Sequence, residues 1–201
     1  MKLFGPKKAK SSRGDSYYKR ENLVHTIGDL KNIYTPKGKI QHITEELIMY
    51  NNLALSEISE KVLHNAIGEA HYIIKNLENM NNYKILFYRH SVEDFNYLMQ
   101  FHFCENTFLF VNNMVRSSYV LGNKEKKSIM NRIQEKYYPD IDFDFSNGFE
   151  LQINDAKNNF LYTTDSVNFS ITYINNTNSF KDILNKTKAD SDSENKFEGI
   201  I

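Results

Sequence analysis

The spacing of apolar positions changes along the chain, and each change predicts a change of element. Over residues 44–80 they recur at helical spacing. Leu55, Ile58, Val62, Ala66, Ile73 and Leu77 form one stripe, which Leu63, Ile67 and Ile74 widen. Ser56 suits an N-cap, and Glu57 and Glu60 put carboxylates at the positive helix end. A long amphipathic helix from Ser56 to about Met80 is predicted, with a shorter one before it over residues 44–53. Asn79, Asn81 and Asn82 then stop the run.

The period next becomes two. Residues 84–90, 96–104 and 107–117 alternate or run apolar with many Phe and Tyr, as strands do. A tight turn at Glu105-Asn106 would pair Phe103 with Phe108 and Phe101 with Phe110, all four rings on one face. Residues 122–138 read as a helix, with Ile129, Met130 and Ile133 inward, Lys124, Lys126 and Lys127 solvated, and Pro139 as the stop.

A second hairpin is expected from residues 141–145 and 149–153. A two-residue turn would oppose Phe145 to Glu150, whereas the loop Ser146-Asn147-Gly148 sets Phe145 against Phe149 and Phe143 against Leu151. Burial favours the three-residue loop, with Gly148 at positive φ. Residues 160–164 and 167–174 follow as strands joined at Asp165-Ser166, pairing Tyr162 with Phe169 and Phe160 with Ile171. A short helix is predicted over residues 179–186. Residues 23–43 read equally as strand or loop.

These elements define an α+β fold. Its mainly antiparallel sheet (three strands, a helix, four strands) packs against the long N-terminal helix. Helix, three strands, helix, strands is also an order similar to that of class I type III secretion chaperones, a likeness of order that covers no motif. Residues 22–187 form the expected domain. Residues 1–21 read as a flexible basic arm carrying Lys2, Lys7, Lys8, Lys10, Arg13, Lys19 and Arg20, and residues 188–201 as a flexible acidic tail.

Composition narrows the class further. Of 201 residues, 25 are Lys or Arg and 25 Asp or Glu, so no overall positive field holds the chain to nucleic acid. Fourteen Phe and 13 Tyr furnish an ample core. A single cysteine, Cys104, excludes an intrachain disulfide and a multi-cysteine zinc site. No apolar run is long enough for a membrane span, and no apolar stretch follows the charged start as a secretory signal requires. A cytoplasmic protein is expected.

Gln100, His102 and Cys104 share one side of a strand, so a Cys–His pair is the first catalytic candidate, with His90 a further histidine. Neighbours at i,i+2 on a strand rarely reach hydrogen-bond distance, and a buried core cysteine is the plainer reading. Glu60, His64 and His71 fall near one helical face, but the two histidines stand too far apart to share one metal. Asp140, Asp142 and Asp144 resemble the opening of a calcium loop, yet Phe145 and Leu151 occupy the positions that need Gly and Glu. No Gly-rich phosphate loop or nucleophile elbow is present, and no cofactor is expected.

On the predicted hairpin Asp142, Asp144 and Glu150 make an acidic strand face suited to a basic protein partner. The leading expectation is a non-enzymatic protein-binding module: an adaptor, a chaperone-like protein or a toxin-neutralising partner. The alternative is a small metal-dependent hydrolase or nuclease that combines His90 or His102 with those acids and Asp140. Nucleic-acid contact through the basic arm and Tyr17-Tyr18 is a lesser possibility.

Overall fold

A computed structural model describes residues 13–35, 41–77, 80–92, 95–117, 121–140 and 143–176. Helices α1 (Asp15–Glu21) and α2 (Ile27–Tyr34) come first. Strand β1 (Gln41–Thr44) follows, then a ribbon of β2 (Met49–Tyr50) and β3 (Leu53–Ala54), a 3₁₀ turn (Leu55–Glu57) and α3 (Glu60–Ile67). After these come β4 (Tyr72–Leu77), β5 (Met80–Val92), β6 (Phe95–Cys104), β7 (Thr107–Ser117) and α4 (Asn123–Tyr137). Strands β8 (Gln152–Asp155), β9 (Phe160–Asp165) and β10 (Phe169–Ile174) complete the described fold.

One eight-stranded sheet runs in the order β1-β8-β9-β10-β7-β6-β5-β4. It is antiparallel except where β1 joins β8 in parallel. The α+β class and the mainly antiparallel sheet are therefore as expected. Both faces are covered. Leu63 of α3, Tyr50 of the ribbon and Ile129, Met130 and Ile133 of α4 pack on one side. Tyr18 of α1 and Leu30 of α2 pack on the other. Coverage on both sides explains why β5 is buried without interruption from Tyr83 to Tyr88 but for the half-buried Lys84.

The long helix is corrected. Its cap is Ser59, whose Oγ accepts from the Val62 N–H at 3.3 Å, and Gly68 at φ 85° ends α3. Beyond it, Tyr72, Ile73 and Ile74 pair with Phe87, Leu86 and Ile85 as an edge strand. Over six residues a run of aromatic and β-branched side chains fits either period, and the open edge of β5 decides for the strand. Residues 44–53 are not helical either. Asn51 and Asn52, at φ 49° and 65°, make a two-residue turn between β2 and β3. Four strands, β4 to β7, lie between α3 and α4, so the order helix, three strands, helix likened to secretion chaperones does not hold.

Register is corrected twice more. Glu105 and Asn106 do form the β6–β7 turn, at φ 49° and 65°, and Phe103 does face Phe108. A bulge at Leu109 then sets His102, not Phe101, opposite Phe110. Phe110 thus joins the α1/α2 layer while Phe101, Phe103 and Phe108 stay in the layer shared with α3, the ribbon and α4. In the last hairpin Asp165 faces Phe169 and Tyr162 faces Thr172. The three-residue loop puts Val167 at the tip, 96% exposed, and the odd shift exchanges the faces foreseen for β9.

Ahead of β8 the three-residue loop is present without its strands. Gly148 has φ 120°, its N–H donates to the Phe145 carbonyl at 3.3 Å, and the Phe145 and Phe149 rings stack at 5.7 Å. The Phe143 N–H goes to Gln134 Oε1 of α4 instead of to a partner strand. Three strands, not four, therefore follow α4 among the described residues.

The arm boundary also shifts. Residues 15–21 are helix α1, with Tyr18 buried on Tyr72 and Glu21 ion-paired to Arg116. The predicted helix over 179–186, the tail over 188–201 and residues 1–12 of the arm lie outside the described residues.

Candidate functional site

The face under α1 and α2 carries a row of polar side chains. Gln100, Asn112, Thr172, Tyr162 and Gln152 stand at directly opposed positions across β6, β7, β10, β9 and β8. At one end the chain after α1 satisfies Gln100: its Nε2 donates to the Glu21 carbonyl at 2.7 Å and its Oε1 accepts from the Leu23 N–H at 3.2 Å. Further along, Asn112 Nδ2 donates to Thr172 Oγ1 at 2.8 Å. Asn112 Oδ1 and Gln152 Oε1 are buried and have no hydrogen-bond partner among the described residues.

A cleft of about 300 Å³ opens between α2 and this part of the sheet. Leu23, Ile33 and Tyr162 supply apolar surface, Asn112 and Thr172 lie on the sheet side, and Asp29 and Glu150 add two carboxylates. The Thr164 and Ser170 hydroxyls, bonded to each other at 2.8 Å, also line it. Among the described residues, no lysine, arginine or histidine does. Asp29 Oδ2 accepts from the His25 and Thr26 N–H groups, each at 2.9 Å. The His25 amide foremost holds the Asp29 carboxyl below the usual carboxylate range. This carboxylate is a fixed negative charge at the start of α2.

The catalytic candidates lie elsewhere and apart. His102 is buried, its ring flat on Phe110 with centroids 4.0 Å apart and its Nδ1 3.0 Å from the Tyr83 hydroxyl. Burial pushes its imidazole well below the ordinary histidine value. Cys104 is buried in the same layer. His90 sits opposite Tyr97, near the other end of β6. The helical trio also separates, because α3 ends before His71. Glu60 binds Lys84, His64 faces Glu69 at 3.3 Å, and His71 Nδ1 accepts from the Arg89 N–H. Among the described residues no group of three or more His, Cys, Asp or Glu could hold a metal ion.

The acidic strand face is not assembled as foreseen, because residues 143–151 form no strand. Asp144 turns back on the Ser146 N–H and hydroxyl, each at 2.9 Å, in a hollow with Lys124 and Lys127. Glu150 lines the α2 cleft instead, with Asp29. Asp142 lies outside the described residues. Sequence reading missed the cleft. Its available signal was the polar Gln100, Asn112 and Thr172 within otherwise apolar strands, but only strand order shows that they share one row.

No family model matches the chain, and no curated protein or solved structure matches it. No helix among the described residues is long and apolar enough to cross a membrane.

Proposed function

We propose that the protein is a non-enzymatic module that binds a basic protein partner through the cleft between α2 and the sheet. The observation that carries this reading is the charge of the cleft: two carboxylates, Asp29 and Glu150, with no cationic side chain in its lining among the described residues. Such a surface attracts a positive partner and steers its approach. The hydrolase or nuclease reading needs His90 or His102 beside paired acids. His102 instead lies in the core, on Phe110 and Tyr83.

Affinity capture from the source cells tests the proposal, comparing the native chain with the Asp29→Asn/Glu150→Gln double variant. A basic protein held by the native chain and released by the variant or by raised salt is the expected result. A partner retained equally by both forms would move recognition to another surface. Hydrolytic activity lost in the variant with the fold intact would turn the reading toward an enzyme.

A further inference from the structure

We infer that the cleft between α2 and the β7–β10–β9 face receives a single arginine side chain of that partner. This rests on the protein-binding reading above. The cleft is more than a pair of acids, because Asn112, 3% exposed, lines it and its Oδ1 is buried without a hydrogen-bond partner among the described residues. A buried carbonyl oxygen left unpaired is costly, so the ligand that completes this site is a hydrogen-bond donor. Charge agrees, since Asp29 and Glu150 select a cation.

Shape favours guanidinium over ammonium. The acceptors belong to different walls: Asp29 to α2, Glu150 to the segment before β8, and Asn112 to β7. A planar fork with five N–H donors can meet acceptors on several sides at once, whereas ammonium is a compact and strongly hydrated point. Leu23, Ile33 and the Tyr162 ring offer apolar surface to the methylene stem and a face to the cation. A cavity of about 300 Å³ is roomy enough for one such side chain.

The probe is Nα-acetyl-arginine N-methylamide, titrated into the full chain by two-dimensional NMR, beside its lysine and citrulline counterparts. The arginine compound should shift the amides of Asp29, Ile33, Asn112 and Thr172, with a dissociation constant on the order of 1 mM. Citrulline, which keeps the shape and loses the charge, should bind about tenfold or more weakly, and lysine also more weakly. Glu150→Gln, at an exposed position, should weaken the arginine compound about tenfold. Asn112→Ser, which keeps a hydroxyl for Thr172, should weaken it further. Equal binding of citrulline, tighter binding of lysine, or shifts confined to another surface would overturn the inference. A captured basic partner together with an arginine compound that leaves the cleft untouched overturns this inference alone. An arginine compound seated in the cleft with no protein captured overturns the partner reading instead.

Discussion

The His102 imidazole lies parallel to the Phe110 ring, their planes 13° apart. The contact exists because the Leu109 bulge advances β7 by one residue and turns Phe110 to the same face as His102. Without the bulge, Phe110 would lie on the opposite face with the other three rings.

Stability should therefore depend on pH through His102. Its folded-state value lies well below 6.5, so between the two values the unfolded chain binds more protons than the native one. The stabilisation is complete above the unfolded value and is lost as pH falls toward the folded one. Urea unfolding at successive pH values below 6.5 should show native stability falling by up to about 1.4 kcal/mol per pH unit from this group. His102→Gln should have a flatter profile. Parallel profiles for the two proteins would mean that His102 titrates normally.

Tyr18 should be a core residue despite its place among basic and polar neighbours in the sequence. It is 2% exposed, stacked on Tyr72 at 4.8 Å and tilted on Phe87 at 5.3 Å. Tyr18→Ala should cost about 3 kcal/mol in chemical denaturation, in the range for large aromatic truncations. A cost below about 0.5 kcal/mol would return α1 to the status of a dispensable arm.

Lys126 was foreseen as solvated, yet its Nζ lies 2.7 Å from Asp165 Oδ1, with side-chain exposures of 16% and 18%. The pair ties the first turns of α4 to the end of β9. Lys126→Met should cost about 1–2 kcal/mol, since it strands a part-buried carboxylate. Lys124→Met, on the exposed side of α4, should stay within about 0.5 kcal/mol. Equal effects at the two lysines would show that the ion pair adds nothing.

Gly148 has φ 120°, and a Cβ built there meets no atom within 4 Å. Any cost of substitution is thus backbone strain rather than collision. Gly148→Val should destabilise by about 1–3 kcal/mol by thermal or chemical unfolding. A neutral result would mean that the loop adopts another turn.

Several features were legible in residue order because local chemistry suffices for them. The Glu105-Asn106 turn, the positive φ of Gly148 and the inward face of α4 each depend on a handful of neighbouring residues. So does the strand character of β5, β6 and β7. What residue order left open was settled by contacts between distant segments. The stretch Tyr72–Leu77 is a strand because β5 offers it an edge, and Tyr18 is buried because Tyr72 and Phe87 meet it. A one-residue bulge at Leu109 and a three-residue loop around Val167 change which side chains share a face, and alternation alone cannot place either irregularity. The cleft follows the same logic: Asp29, Asn112 and Glu150 come together only through strand order and the docking of α2, since side chains far apart in the chain become neighbours when hydrogen-bonded strands and packed helices bring them within reach.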